Sequence, residues 1–183
     1  ITNAADLMSG PLAHGRIGDY LLANDTARFI VQDVAQRDLH SIGSFGGNLI
    51  DAELVGRPGL ESFFEVQPAV NIETVQNSQT AEILNDGQNG LPAALRVCGP
   101  DDLMDYINPS SVVSQAGGIF PGGVDDVDVP VESCTTYTLD AGRRWVRLDT
   151  TIQNLSGTPQ GLYVGDYING MGELDQWTPP RNP

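Results

Sequence analysis

The chain has 183 residues, 40% of them hydrophobic, which suffices for one domain with its own core. Its 24 acidic residues outnumber nine basic ones, all arginine, and the formal net charge of −15 argues against nucleic acid and anionic membranes as partners. No apolar run approaches the roughly eighteen residues of a membrane span. We therefore expect a single soluble domain over residues 1–183, as a piece of a longer polypeptide.

Short β-type runs separated by Gly, Pro, Asn and Asp fill the first half of the chain. β-Branched and aromatic residues predict strands over 20–23 and 27–33, and the turn pair Asn24-Asp25 between them predicts a hairpin. A second turn, DGQNG, separates two later runs. The same criteria predict strands over 48–54, 63–75, 80–85 and 93–98.

The second half adds three predicted strands and little else that is regular. They span 132–139, 144–153 and 161–168, and a hairpin-sized link joins the first two. A helix is plausible only over 2–8 and 100–106. Many short strands with little helix predict an all-β fold, an antiparallel β-sandwich.

The stretch GSFGGNLIDAEL raises the choice between a ligand-cradling loop and a structural turn. Gly46-Gly47 supplies backbone freedom for a tight bend, and neither a following helix nor basic residues support a phosphate site. We favour a turn into a core strand with Ile50, Ala52 and Leu54 inward. In the alternative, four polar residues meet as a cluster: Asp19, Asn24, Asn48 and Asp51.

Two cysteines, Cys98 and Cys134, lie in predicted strands. Without nearby histidines they cannot form a usual structural zinc site. A disulfide and a pair of buried free thiols both remain open, and export of the protein would favour the disulfide.

The long segment 108–130 contains the candidate metal ligands Asp125, Asp126 and Asp128. Carboxylates are ligands that Ca²⁺ prefers, but the spacing lacks the glycine and closing glutamate of an EF-hand. A solvated acidic loop is the favoured interpretation. Ca²⁺ is the one cofactor that the sequence suggests.

Familiar catalytic patterns are absent from the sequence. GxGxxG, GxxxxGK[ST], HExxH and GxSxG do not occur. Only His14 and His40 titrate near neutral pH as unperturbed side chains, and both lie in predicted loops. A structural or surface role for them is favoured over that of a general base.

Several strings together carry a resemblance that runs from about Ser9 to Glu173. They are GRIGDYLLANDTARFIVQD, GSFGGNLIDAEL, AALRVCGPDD, TTYTLDAGRRWVRLDTTIQN and VGDYINGMGE. The chain resembles an N-terminal β-rich module of large exported bacterial proteins, including myxobacterial-type ones. There the module lies upstream of carboxypeptidase-regulatory-like and PHP-type metallohydrolase domains. The resemblance implies no catalytic residues, since the hydrolase's metal ligands belong to another domain.

A weaker resemblance is architectural. A strand, a turn and then Gly46-Gly47 leading into an alternating strand is similar to the opening of galactose-mutarotase-like supersandwiches. That fold implies a concave face for sugars. A mutarotase would place a histidine opposite a glutamate, and His14 and His40 are the only histidines that this chain offers.

These observations predict a non-catalytic module, secreted or in the cell envelope, that is structural or binds carbohydrate or neighbouring domains of its own polypeptide. Aromatic faces stack on sugars and carboxylates accept hydrogen bonds from hydroxyls. The alternatives are a supersandwich-type carbohydrate-active enzyme using His14 or His40 and a calcium-stabilised adhesion module. Core packing is the preferred interpretation of Trp145. The candidate ligand-binding residues are Trp177, Tyr163, Tyr167 and Asp166.

Overall fold

The computed structural model describes residues 1–36, 45–70, 74–103, 116–118 and 129–169. Within these ranges the fold is all-β, as predicted, and its helical part is one 3-10 turn at Ala4–Asp6. The strands are β1 (Tyr20–Ala23), β2 (Ala27–Val31), β3 (Leu49–Leu54), β4 (Glu65–Val70), β5 (Thr74–Gln76), β6 (Thr80–Asn85), β7 (Ala93–Leu103), β8 (Val131–Leu139), β9 (Arg147–Asn154) and β10 (Val164–Asn169).

All strand pairs are antiparallel and join into one sheet that is not closed into a barrel. Neighbours follow the order β1-β2-β3-β4-β5-β7-β8-β9, while β6 pairs with β7 and β10 with β4. The long strand β7 belongs to both parts of the sheet, because its first half pairs with β6 and its last residues pair with β5. Strand β7 therefore connects the part of the sheet that contains β1–β5 and β10 with the part that contains β6, β8 and β9.

The main core lies between β1–β3 and β7–β8. It is built from apolar side chains on alternate residues of each strand, as a half-buried strand requires. A second cluster, Met8 with Ile30 and Ile50, covers the outer side of β2 and β3. The main core consists of Leu22, Ala27, Phe29, Val31, Leu49, Leu95, Val97, Tyr137 and Leu139.

A β-bulge in β3 changes the inward face predicted for this strand. Ile30 of β2 lies opposite Asp51, whereas Val31 lies opposite Leu49, so Ile50 is an extra residue. Leu49 and Ala52 pack with the main core, and Ile50 packs under Met8. The prediction that Ile50 and Leu54 share an inward face with Ala52 is wrong, since Leu54 is also 37% exposed.

Strand boundaries match the predictions at β1 and β6, differ by up to three residues at the ends of β2, β9 and β10, and differ more in two regions. The run predicted over 63–75 is two strands, β4 and β5. The strand predicted to end at Cys98 continues to Leu103, so the helix predicted over 100–106 is wrong for its first residues. Asp101 and Asp102 pair with β5, and this pairing keeps the chain extended.

The predicted N-terminal helix over 2–8 shrinks to the 3-10 turn. Asn3 caps it by accepting a hydrogen bond from the Ala5 N–H, and Leu7 is already extended. The extended backbone carries Met8 to its place over Ile30. Burial of the Met8 side chain thus favours the extended backbone over a continued helix.

Gly46 and Gly47 form a structural bend. A Cβ on Gly46 would lie 2.2 Å from the carbonyl oxygen of Asp33, and Gly47 has a φ of +88° beside the hydroxyl of Ser78. The buried Tyr137 hydroxyl donates to the Gly47 carbonyl at 2.9 Å. Close backbone approach therefore explains the glycine pair, as predicted.

Cys98 and Cys134 form a disulfide between directly opposed residues of β7 and β8. Their Cα atoms are 4.1 Å apart. The alternative of two free thiols is wrong.

Candidate functional site

The predicted sugar-binding residues of the last strand do not converge. Tyr163 is 79% exposed just before β10, and Asp166 is exposed within it, although desolvation raises the pKa of its carboxyl. Tyr167 lies opposite Gln67 and packs against a small cluster that includes Phe45. Because successive residues point to opposite faces of a strand, Asp166 and Tyr167 do not serve one ligand.

Buried amide groups without partners lie on β4 and beside it. Gln67 is completely buried, and neither its amide nitrogen nor its amide oxygen has a hydrogen-bond partner among the described residues. Asn48 donates to Glu65 at 2.7 Å, but its own amide oxygen is also buried, and it has no partner in the same ranges. Each such atom costs about 1–3 kcal/mol of folding free energy unless water or a ligand satisfies it.

Replacement of Gln67 by methionine is expected to raise the free energy of unfolding by about 1–2 kcal/mol, because a similar volume then carries no unsatisfied amide. Urea denaturation measures the change. The exposed Gln79 offers a control, and Gln79→Met is expected to change stability by less than about 0.5 kcal/mol. A clear loss of stability in Gln67→Met would contradict the expectation and indicate a bound water or polar ligand.

The preferred interpretation of Trp145, core packing, is wrong. Its side chain is 49% exposed, and the Arg143 guanidinium lies 5.7 Å from the centroid of its ring. The residue precedes the first paired position of β9, Arg147, which lies opposite Thr138. Trp145 is therefore available at the surface near the β8–β9 turn.

His14 belongs to a packed N-terminal segment. Its ring stands edge-on against Phe64, with centroids 5.1 Å apart. The backbone N–H groups of His14 and Gly15 donate to the carboxylate of Asp51 at 2.8 and 2.9 Å. The bulge in β3 turns Asp51 toward this segment, and the carboxylate fastens it to the sheet.

Glu61 adds a second buried carboxyl near Asp51. One oxygen accepts from the Phe63 N–H at 2.7 Å, and the other has no partner. Burial, and then the negative charge of Asp51, raise the pKa of Glu61 to about 7. Desolvation also raises the pKa of Asp51. The hydrogen-bond donors to both carboxyls are main-chain N–H groups of the chain itself.

The four residues of the predicted polar cluster do not meet. Asp19 accepts from the backbone N–H groups of Arg16 and Asp33. Asn24 instead donates to main-chain oxygens of the β8–β9 turn, and Asn48 bonds with Glu65. Asp19 and Asp51 both accept from main-chain N–H groups of the loop 14–16, whereas Asn24 and Asn48 bond elsewhere, so the alternative of one cluster shared by all four is wrong.

Several predicted residues lie outside the described part of the chain. They are His40, Asp125, Asp126, Asp128 and Trp177. Among the described residues, no three His, Cys, Asp or Glu side chains are arranged to hold a metal ion. The same ranges contain no helix with the length and apolar character for crossing a bilayer.

A groove of about 230 Å³ opens between β1 and the β6–β7 hairpin. Each of β1 and β6 pairs with a single neighbour among the described strands, so each has an edge that the sheet leaves open. The buried side chains Leu22 and Leu95 line the groove, whereas Ile83 is 62% exposed along it. We call this hollow the β1–β6 groove.

The β1–β6 groove continues toward the hairpin turns. A second hollow of about 400 Å³ shares Asp86 and Ala93 with it and adds the turn residue Asp25 and the exposed Leu91. Together the two hollows follow β1 and the adjoining turn. Their surface combines apolar side chains with the carboxylates of Asp25 and Asp86.

A separate polar pocket of about 200 Å³ lies at the turn end of the sandwich. Arg57 and Arg144 line it, and neither guanidinium forms an ion pair or hydrogen bond with the described chain. Asp25, Thr26, the last residue of β3 (Leu54) and the residue after it (Val55) complete the lining. In a chain with nine basic residues, two unpaired arginines in one pocket are a notable concentration of positive charge.

Comparison with known proteins gives no assignment. Neither a protein-family model, nor a curated protein, nor a solved structure matches this chain.

Proposed function

We propose that this chain is a non-catalytic β-sandwich module that binds a polypeptide partner in the β1–β6 groove. The observation that supports this most strongly is the pair of open strand edges beside one hollow with apolar lining. Open edges and exposed apolar side chains are surfaces that proteins bury against partners. A neighbouring domain of the same polypeptide, as the sequence suggests, is one source of such a partner.

The side chains along the groove favour binding over catalysis. Its ionisable side chains are Tyr20, whose pKa is raised by desolvation and by nearby acids, and the carboxylates of Asp25 and Asp86. The described lining of the two hollows contains no histidine, cysteine or serine. A nucleophile with its base within hydrogen-bond reach is the usual requirement for acyl transfer through a covalent intermediate. The position of His14 outside this lining weighs against its use by a supersandwich-type enzyme at this groove.

The disulfide supports an exported location. Disulfides persist in oxidising compartments and are rare in reducing ones. Cys98 and Cys134 are bonded across neighbouring strands. We therefore assign the module to a secreted or cell-envelope protein as part of the proposal.

Peptides selected from a random library on this protein are expected to bind in the β1–β6 groove. Ile83→Glu places a charge on an exposed apolar wall of the groove and should weaken binding at least about tenfold, because desolvating a charge is costly. Ile168→Glu is the matched control, since Ile168 is 66% exposed on β10. Isothermal titration measures both. Failure to select any peptide, or equal binding by both variants, would contradict the proposed function.

A second candidate ligand, a carboxylate-bearing sugar, fits the polar pocket. Arg57 and Arg144 offer unpaired guanidinium groups, which suit planar carboxylates, and the exposed Trp145 is adjacent in sequence to Arg144. The volume of about 200 Å³ suits a single sugar ring. This pocket replaces the predicted sugar site on β10 as the better candidate. A calcium-stabilised adhesion role stays a prediction that concerns residues outside the described ranges.

Glucuronate is expected to bind this pocket with a dissociation constant in the millimolar range, while glucose is expected not to bind. Arg144→Ala should abolish the glucuronate-induced NMR shifts. Arg147→Ala is the control, because the Arg147 side chain is exposed but already paired with Asp149 at 2.7 Å. Equal shifts with both sugars, or with both variants, would exclude this candidate.

A further inference from the structure

The open edge of β1 presents a defined row of main-chain groups. The Asn24 N–H donates across the hairpin turn to β2 at 3.0 Å. Hydrogen-bonded and non-hydrogen-bonded pairs alternate along an antiparallel ladder, so Leu22 and Tyr20 also direct their main-chain groups to β2. Leu21 and Ala23 consequently direct their N–H and C=O groups away from β2. Two donors and two acceptors thus line the open edge.

The carbonyl of Asp19 belongs to the same row, because Asp19 lies two residues before Leu21. The Ile1 amino group donates to this carbonyl, and the Gly18 N–H donates to the carbonyl of Ile1 at 3.0 Å. An antiparallel pair exchanges both bonds with one residue, and in a parallel pair the acceptor residue precedes the donor residue, so these bonds form neither kind of ladder. Ile1 therefore lies beside the edge without extending it as a strand.

The groove beside this row suits a peptide with alternating apolar residues. In an added strand, side chains alternate between the two faces. Those on one face would contact the lining formed by Leu22, Leu95 and Ile83. The exposed Asp86, where the two hollows meet, would attract a basic side chain, as would the net charge of −15.

We propose that an extended basic peptide adds to β1 as a further strand and exchanges hydrogen bonds with the main chain of Leu21 and Ala23. Strand addition of this kind takes affinity from main-chain bonds and specificity from alternate side chains. The inference rests on the proposed function and defines its ligand.

The direct test uses a synthetic peptide, acetyl-Thr-Val-Lys-Val-Thr-Val-amide, at concentrations up to the millimolar range. Amide hydrogen exchange followed by NMR should slow at Leu21 and Ala23, while Tyr20 and Leu22, already bonded to β2, should not change. Two further peptides carry N-methyl groups on odd or on even residues. One of the two should bind at least tenfold more weakly than the other, because only one set of N–H groups faces β1.

A protein variant checks the same contact from the other side. Ala23→Pro removes an N–H from the open edge and leaves the bonds with β2, so it should weaken peptide binding about tenfold. Ala23→Val keeps the N–H and should bind normally. If Ala23→Pro does not fold, the pair of N-methylated peptides decides the question.

The outcomes separate the two claims. Peptide binding that Ile83→Glu removes, but that is insensitive to Ala23→Pro and equal for both N-methylated peptides, would overturn strand addition and leave the groove as a binding site. Absence of binding by both the synthetic peptide and the library-selected peptides would overturn both. Slowed exchange at Leu21 and Ala23 with the expected N-methyl asymmetry would support both.

Discussion

Replacement of Cys98 and Cys134 by serine is expected to lower the free energy of unfolding by about 4 kcal/mol. The disulfide closes a loop with a sequence separation of 36 residues, and in the chain-entropy account this loop restricts the unfolded chain by about that amount. The cross-link joins directly opposed residues of β7 and β8 and so fixes these two strands in register.

Guanidinium denaturation of the double serine variant, with and without reductant, measures this effect. Thr136→Ser in β8 is the control, because it alters a neighbouring cross-strand pair without removing a covalent bond. Reductant should destabilise the control as much as the wild type and should not affect the double variant. A loss below about 1 kcal/mol in the double variant would refute the assignment of a stabilising role.

Folding stability is expected to fall as pH rises from about 4.5 to about 7 because of Glu61. In the unfolded chain this carboxyl ionises near pH 4.5, whereas in the folded chain burial and then the charge of Asp51 raise its pKa to about 7. Between these values the folded state binds more protons, so stability is present below the unfolded pKa and is lost as pH rises through the folded pKa. The raised pKa values of Asp19 and Asp51 act in the same direction.

Glu61→Gln should remove much of this pH dependence and raise stability at pH 8 by about 1–2 kcal/mol. Its amide oxygen preserves the hydrogen bond from the Phe63 N–H. Glu82→Gln is the control, since Glu82 is 61% exposed and pairs with Arg96 at the surface. Thermal unfolding from pH 4 to pH 8 tests both variants. An unchanged pH profile for Glu61→Gln would show that this carboxyl is ionised in the fold.

Local patterns predicted most strands because they depend on neighbouring residues. The turn pair Asn24-Asp25 and the alternation around it were sufficient for the β1–β2 hairpin. The bulge at Ile50 was not predictable, because it depends on the partner strand and on Asp51 bonding to the N-terminal segment. The extension of β7 to Leu103 depends likewise on pairing with β5, against the local preference of a Pro-Asp-Asp start for a helix.

The candidate site was less predictable than the fold. Residue type alone predicts a sugar site from the aromatic and acidic residues of β10. The alternation of side chains along the strand places Asp166 and Tyr167 on opposite faces. The β1–β6 groove forms between strands that are distant in sequence, so no local motif indicates it. The polar pocket similarly combines Arg57 and Arg144 from different turns. The sequence shows that β1 is short and apolar, but only its terminal place in the sheet shows that one of its edges is open.

The pairing of β10 with β4 has a consequence for the order in which the protein is made. Each residue of β4, from Glu65 to Val70, lies opposite a residue of β10, which is the last strand of the described chain. During synthesis from the N-terminus, β4 emerges from the ribosome long before β10. The main-chain groups on this edge of β4 therefore stay without their strand partner until β10 has been made. Non-local pairing of this kind slows folding. We therefore expect the sheet to be completed only after translation of this region has ended.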